Sequence, residues 1–220
     1  MMKGMSLRSR RSLLLGLIVS VGVLATVAAV PAMRSSMLRA AGRALVVDEP
    51  LEPVDAIVLP QWAGAAAAID AADLVRGGMA RQVMLLPEPS RPAEQELIRR
   101  RIPYVSGNAT LVKLLHDLGV SDVEVIPDPA AGTEAEGRVL LSWCDQRQVR
   151  SVIVVSTPDH SRRLRRVLYR SLRTSSTKVI VRSARYSSFD PDHWWRTREG
   201  LRTEIVEFQK LLLDVARHPI

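Results

Sequence analysis

The stretch SVIVVSTPDHSRRLRRVL, residues 151–168, joins a short apolar run directly to a segment rich in arginine. The apolar run is mostly valine and isoleucine, as in parallel strands that are buried on both faces. Thr157, Pro158 and Asp159 then form a typical helix start, with a capping hydroxyl, a proline at the first helical position and an acid in the first turn. The stretch therefore predicts a strand followed at once by a helix.

The same pattern recurs along the chain. Further apolar runs lie at 55–59, 82–86, 123–126 and 178–182. Helical patterns accompany them at 63–77, 93–101, 108–118, 134–147 and 159–172. Because strands spaced by helices are typical of βαβ units, we expect an α/β domain with a Rossmann-like three-layer α/β/α architecture and a mainly parallel sheet of about five strands.

A last helix is predicted over residues 196–216. Its apolar residues recur at helical spacing, which indicates one apolar face. They are Leu201, Ile205, Phe208, Leu212 and Val215. We expect this face to pack back on the sheet.

The N-terminal region contains an uncharged run, LLLGLIVSVGVLATVAAVPAM, at 13–33, after the basic stretch KGMSLRSRR. A run of roughly 20 apolar residues is long enough to span a bilayer as a helix, and a basic flank before it favours a cytoplasmic N-terminus. A cleaved signal peptide is the alternative, since small residues near Ala32 offer a cleavage site. Arginines soon after the run leave the inverted topology open as well.

These features divide the chain into four parts. They are a basic cytoplasmic tail at 1–12, a transmembrane anchor or signal peptide at 13–33, a linker at 34–53 and the α/β domain at 54–216. Pro50 and Pro53 favour an irregular linker. We expect a single-pass protein of the inner (cytoplasmic) membrane, with its domain on the extracytoplasmic side.

Charge and cysteine content exclude several classes of protein. The formal net charge is +8, but four of the 31 basic residues precede residue 34 and no acid does, so the domain itself is only mildly basic. We therefore expect no nucleic acid as a partner, although an anionic ligand is compatible with this charge. Cys144 is the only cysteine, which excludes an internal disulfide and a cysteine-based zinc site.

Ligands of parallel α/β sheets bind at the carboxyl ends of the strands, where helix N-termini point outward. One loop there reads GTEAEG, residues 132–137. Thr133 and Glu136 fit a capping box, in which both side chains satisfy free amides of the helix start. Alternatively, Thr133 and Glu134 face the ligand crevice, and spacing alone does not separate these interpretations.

The loop after the fourth strand contains His160, which has no capping role. The positive helix N-terminus disfavours imidazolium, so we expect a neutral ring that acts as an acid/base or as a hydrogen-bond donor. Arg162 and Arg163 follow within one turn, and one of them can bind an anion bidentately. Ser156 is a poor candidate for a nucleophile, because no G-x-S-x-G elbow surrounds it.

Other loops give weaker signals. PQWAG after the first strand and PEPSRP after the second lack the glycine pair that a backbone phosphate cradle needs. Trp62 in the first of these loops either covers a ligand or fills space. FDPDHWW, residues 189–195, combines acids with His193, but no second cluster at ligand spacing supports a metal site. The sequence leaves the cofactor unknown. Asp55, at the amino end of a strand, is assigned a structural role.

The segments together resemble the bacterial domain-of-unknown-function family that contains the YdcF, SanA and ElyC proteins. The quoted matches, between about residues 54 and 213, are DAIVLP, AADLVRGGMARQVMLL, LGVSDVEVIPDPAAGTEAEG, SVIVVSTPDHSRRLRRVL and REGLRTEIVEFQKLL. The strongest parts are a Thr-Glu helix start and an S-x-x-x-H-x-x-R junction. These correspond to Thr133, Glu134, Ser156, His160 and Arg163.

The resemblance implies a Rossmann-like fold and a role in cell-envelope integrity, with peptidoglycan or lipid-carrier metabolism as the setting. His160 is then the catalytic candidate, and the other four residues bind an anionic, phosphate-bearing substrate. The two loops that read PQW and PEP depart from the family, which has glycines there. Two alternatives therefore remain: a non-catalytic envelope scaffold and a Rossmann-type binder of a nucleotide or adenosyl cofactor.

Overall fold

A computed structural model describes residues 30–219, and this part of the chain forms a five-stranded parallel sheet in the order β3-β2-β1-β4-β5. The strands are β1 (Ala56–Pro60), β2 (Gln82–Leu86), β3 (Asp122–Val125), β4 (Ser151–Ser156) and β5 (Lys178–Ser183). β1 pairs with both β2 and β4, so the chain leaves the centre of the sheet in two directions. This reversal of strand order creates a crevice at the carboxyl ends of β1 and β4.

Seven α-helices surround the sheet within residues 30–219. They are α1 (Pro31–Leu45), α2 (Gly64–Arg76), α3 (Pro92–Arg99), α4 (Gly107–Asp117), α5 (Thr133–Arg147), α6 (Pro158–Ser171) and α7 (Arg198–Arg217). Alternate residues of each central strand point to opposite faces of the sheet. Ile57 and Leu59 accordingly pack with α2 and α4, whereas Ala56 and Val58 pack with α5 and α6.

The predicted α/β class and parallel sheet are confirmed, and the arrangement is consistent with a Rossmann-like fold. Asp55 has the structural role that its position predicts, since one carboxylate oxygen accepts hydrogen bonds from the amides of Arg150 and Ser151 and from the Ser151 hydroxyl. The pKa of Asp55 is lowered chiefly by the hydrogen bond from the Arg150 amide. Asp55 thus fixes the start of β4 next to β1.

The predicted linker is partly wrong. Residues 34–45 belong to α1, which begins at Pro31 and packs against α6 and α7. Leu45 is fully buried, and a Cβ added at Gly42 would overlap the carbonyl oxygen of Pro191. The prolines that indicated an irregular linker lie after this helix, in the extended segment that leads to β1.

The predicted packing of the last helix is wrong. Leu201, Ile205, Phe208, Leu212 and Val215 are 38–54% exposed, whereas Glu204, Glu207 and Asp214 are buried. The reason lies on α6, whose arginines face α7 and need carboxylates as partners. Arg166 and Arg170 both bind Asp214, with N–O distances of 2.7 and 3.0 Å. Burying charged groups without such partners costs several kcal/mol per ion, roughly, so the charged side of α7 turns inward.

The expected membrane span at 13–33 lies outside the described residues except for its last four, and three of these begin α1. Between residues 30 and 219, none of the helices combines the length and apolarity that crossing a bilayer requires.

Candidate functional site

The candidate site lies at the crevice between the carboxyl ends of β1 and β4. α5 begins there at Thr133 and α6 begins at Pro158, so two helix N-termini meet beside the same opening. Gly132 precedes Thr133 with φ +80°, a left-handed conformation that residues with a side chain rarely adopt. This turn allows Thr133 to enter the helix directly after the loop. Both helix dipoles favour negative charge at this point.

The crevice contains a small cavity of about 240 Å³. More acidic than basic side chains line it. The acids are Glu88, Glu136, Asp159 and Glu207, and the bases are His160, Arg163 and Lys210. Cavities that hold drug-sized ligands measure about 300–1,000 Å³, so this cavity suits a phosphate or a comparably small head group rather than a nucleotide.

His160 lies in the wall of this cavity and is only 7% exposed. Its Nε2 atom is 3.4 Å from Thr133 Oγ1, and its Nδ1 atom is 3.1 Å from Glu207 Oε2. Nδ1 is also 2.7 Å from Nη2 of Arg163. The pKa of His160 is lowered, first by burial and then by the charge of Arg163, which outweigh the opposing effect of Glu207. The ring is therefore neutral at physiological pH.

The neutral ring has two tautomers, and each satisfies a neighbour. With the proton on Nδ1, the ring donates to Glu207 and offers the Nε2 lone pair to Thr133. With the proton on Nε2, the ring donates towards Thr133 and accepts from Arg163. A ring that presents either a donor or an acceptor at Nε2 suits acid/base work.

Glu207 connects the basic residues of the site. Its Oε2 atom accepts from Nε and Nη2 of Arg163 at 3.1 and 3.0 Å, and its Oε1 atom accepts from Lys210 at 2.7 Å. Burial pushes its pKa upward, but the hydrogen bonds from His160 and Lys210 and the charge of Arg163 outweigh burial and lower the pKa to about 2. Glu207 is therefore an ionised carboxylate that orients His160 and Arg163.

Trp62 forms the part of the cavity wall next to His160. Its ring meets that of His160 edge-on, with centroids 4.5 Å apart, and its Nε1 atom donates to Glu136 Oε1 at 2.6 Å. The other oxygen of Glu136 has no hydrogen-bond partner among residues 30–219. Burial raises the pKa of Glu136, and burial also raises that of Asp159. These two carboxyl groups, unlike that of Glu207, therefore have a reduced tendency to ionise.

The structure brings three of the five predicted site residues together. Thr133 Oγ1 accepts from Arg163 Nη1 at 2.7 Å, and both contact His160. Glu134 lies outside the cavity, on the exposed side of α5, where it binds Arg170. Ser156 is fully buried, and its hydroxyl donates to the carbonyl of Thr157. Ser156 therefore contributes to the turn and does not line the cavity.

The capping box predicted for Thr133 and Glu136 is absent from the described helix α5. Gly132 is the N-cap residue. The side chains of Thr133 and Glu136 instead line the cavity, where Thr133 accepts a hydrogen bond from Arg163 and Glu136 accepts one from Trp62. The arginines of α6 do not form a free basic surface. They are mostly paired with acids. The pairs join Arg165 to Glu49, Arg166 to Asp214, and Arg170 to Glu134 and Asp214.

One cluster in the described region has the geometry of a metal site. Ligand atoms of Glu134, Asp214 and His218 lie within 4.8 Å of one another. Arg170 already binds both carboxylates of this cluster, so a cation there would displace or repel the guanidinium. We therefore assign no metal to it.

Comparison with known proteins gives little further information. No family model matches this chain, and no curated protein does. A solved structure of a mycobacterial quinone oxidoreductase aligns over 81% of this chain and 50% of its own, with 13% sequence identity and a TM-score of 0.30. This chain thus spans half of that protein's length, and the likeness carries no functional argument.

The burial of His160 leads to a testable expectation. In a proton NMR titration, we expect His160 to titrate below the ordinary histidine pKa of about 6.5. Arg163→Gln removes a neighbouring positive charge and should raise this pKa, whereas the same substitution at the exposed Arg173 should leave it unchanged. A wild-type His160 that titrates like a solvent-exposed histidine would contradict the neutral, buried ring.

Proposed function

We propose that this chain is a membrane-anchored extracytoplasmic protein of cell-envelope biogenesis or integrity, similar to the YdcF, SanA and ElyC proteins. Its cavity binds or processes an anionic, phosphate-bearing envelope intermediate. One observation carries the proposal: Thr133, His160 and Arg163 converge where two helix N-termini open into a small cavity. The cavity lies where the strand order of the sheet reverses, which is the usual place for ligands in Rossmann-like sheets, and this location supports the proposal.

The roles follow from the contacts. The helix N-termini, Arg163 and Lys210 attract the phosphate group, and His160 transfers a proton at its Nε2 atom. Glu207 holds Arg163 and His160 in place. Thr133 shares its hydroxyl between Arg163 and His160, which positions the reacting oxygen of the ligand or of a water molecule.

Glu136 and Asp159 influence the pH at which the cavity can bind a phosphate group. Ionised Glu136 and Asp159 would repel a phosphate, but burial raises the pKa of each and favours the neutral carboxyl, which can donate a hydrogen bond. We therefore expect the affinity for a phosphate monoester to increase as the pH is lowered into the range where these two carboxyls take up protons, which their raised pKa values place above the ordinary carboxyl range. This trend is the reverse of what a purely basic pocket would show, because the monoester loses charge over the same range.

Native mass spectrometry of the purified chain tests this function, with a prenyl monophosphate and a nucleoside monophosphate as probes. We expect the prenyl monophosphate to be retained and Lys210→Ala to weaken retention about tenfold, the effect of losing roughly 1.4 kcal/mol. His160→Gln should retain the probe but lose any turnover of it. Glu134→Gln is the matched control, because Glu134 lies outside the cavity, and should bind like the wild type.

Three outcomes would contradict the proposal. Failure to retain either probe would favour the non-catalytic scaffold, and retention of the nucleotide alone would favour the nucleotide binder. Equal binding by the Lys210→Ala variant would place the ligand outside the described cavity.

A further inference from the structure

The outer face of α7 is apolar and exposed. Leu201, Ile205, Phe208 and Leu212 follow one another at spacings of four, three and four residues, which aligns them along one side of a helix. Their exposed fractions are 40, 52, 38 and 54%. A contiguous apolar stripe of this length on a surface helix indicates an interaction surface.

The orientation of α7 is held by ion pairs and by the buried Leu211, and not by the residues of the stripe. Glu207 and Asp214 on its buried side bind Arg163, Arg166 and Arg170 of α6. The stripe is therefore kept outward by strong contacts on a different side of the same helix. Nothing within residues 30–219 covers it, so its partner lies elsewhere.

The charges around the stripe are mainly positive. The acids Glu204, Glu207 and Asp214 of α7 are buried, whereas the basic residues of the helix are exposed. Arg198 and Arg202 lie within one turn of Leu201 and flank the stripe, whereas Lys210, Arg217 and the exposed acid Glu199 lie on other sides of the helix. An apolar face flanked by basic residues is typical of helices that lie in the interface of an anionic membrane.

The position of α1 supports the same partner. Leu38 and Ala41 of α1 pack with Leu211 of α7, while Met33 and Met37 near the start of α1 are 46 and 52% exposed. The uncharged run of the sequence at 13–29 ends immediately before this helix. The exposed methionines of α1 thus lie within about two turns of the point where an anchored chain would leave the bilayer, and α1 packs against α7.

We propose that α7 lies on an anionic lipid surface, with Leu201, Ile205, Phe208 and Leu212 inserted below the head groups. This inference rests on the membrane location in the proposed function, but it is independent of the ligand in the cavity. It makes α7 a second attachment that fixes the orientation of the domain relative to the membrane.

The test uses the full chain in vesicles of phosphatidylcholine and phosphatidylglycerol. Leu212→Cys is labelled with an environment-sensitive fluorophore in a Cys144→Ala background. Lys113→Cys is the matched control, because Lys113 is exposed on α4, which packs on the other face of the sheet. We expect the label at position 212, and not the label at 113, to shift to shorter wavelength and to be quenched by lipid-borne nitroxides.

Each other outcome overturns the inference in a recognisable way. A shifted label that lipid nitroxides do not quench means that protein covers the stripe. If that shift disappears when the chain is diluted to one copy per vesicle, a second copy is the cover, and if it persists, another segment of the same chain is. An unshifted label on a vesicle-bound chain overturns the α7 contact alone. A chain that does not float with vesicles overturns the membrane location of the proposed function as well.

Discussion

Replacing Glu207 with alanine should lower the free energy of unfolding by about 3–5 kcal/mol, the usual cost of removing one partner from a buried ion pair. Glu207 accepts from Arg163, His160 and Lys210. The side chain of Arg163 is 15% exposed, so the alanine variant would leave its charge largely buried with no counter-ion at this position. Urea denaturation of the purified chain at neutral pH measures the loss.

A surface pair is the control for this substitution. Glu96 binds Arg99 and Arg100 on the exposed side of α3, and Glu96→Ala should change the stability by less than about 1 kcal/mol. A double variant, Glu207→Leu with Arg163→Leu, should be more stable than Glu207→Ala, because it removes both charges together. A Glu207→Ala variant as stable as the wild type would show that Glu207 does not hold Arg163.

The same contacts predict how acid affects the protein. Glu207 has a folded pKa of about 2, below the ordinary value of 4.5. Its contribution to the free energy of unfolding is therefore complete above pH 4.5 and is lost as the pH falls towards 2. His160 also destabilises the fold in acid, since its lowered pKa means that the unfolded chain takes up a proton first. In Glu207→Ala, the part of the acid sensitivity that comes from Glu207 should disappear.

The sequence predicts the sheet well because each strand can be recognised from its own residues alone. Runs such as SVIVV, residues 151–155, are buried on both faces, so β-branched composition and length suffice to locate them. Their predicted bounds agree with β4 and the other strands within one or two residues. The same periodicity argument fails for α7, because it assumes that the apolar side of a helix is the buried side.

A charge pattern could have corrected this prediction. Arg163, Arg166 and Arg170 recur on one side of α6, and Glu204, Glu207 and Asp214 recur on one side of α7. Matching those two patterns would have identified Glu207 as a partner of the site, although it lies 47 residues from His160. Pairing across such a distance depends on how the two helices cross, which the spacing within each helix does not specify.

The contact between Trp62 and Glu136 is another tertiary feature. The residues are 74 positions apart, and local rules assigned Glu136 to a capping box. The loop PQW has no glycine, and the indole of Trp62 occupies the space beside His160. A local pattern therefore identified His160 and Arg163, but their neighbours depended on the packing of β1 against α5.

Replacing Glu204 with an apolar residue should stabilise the protein. Glu204 is 3% exposed, and neither of its carboxylate oxygens has a hydrogen-bond partner among the residues that the structure describes. Burial is the main cause that raises its pKa to about 7, and the charge of Asp159 adds to this effect. Above this pH the fold must hold a desolvated carboxylate, which costs about 3 kcal/mol for a shift of this size.

Glu204→Met should therefore raise the free energy of unfolding by roughly 2–3 kcal/mol at about pH 8, because an apolar side chain of similar size needs no hydrogen bond. The folded chain keeps the Glu204 proton up to pH 7, whereas the unfolded chain loses it near 4.5, so the wild type loses stability as the pH rises between these values. Below pH 4.5 this electrostatic gain should vanish. The lowered pKa of His160 makes a contribution of the opposite sign, so the difference between variant and wild type is the quantity to follow in urea denaturation. Glu204→Gln removes the charge but keeps unpartnered polar atoms, so its difference from the wild type should show the same pH dependence as that of Glu204→Met, with a smaller gain. Equal pH slopes for Glu204→Met and wild type would contradict a buried, titrating Glu204.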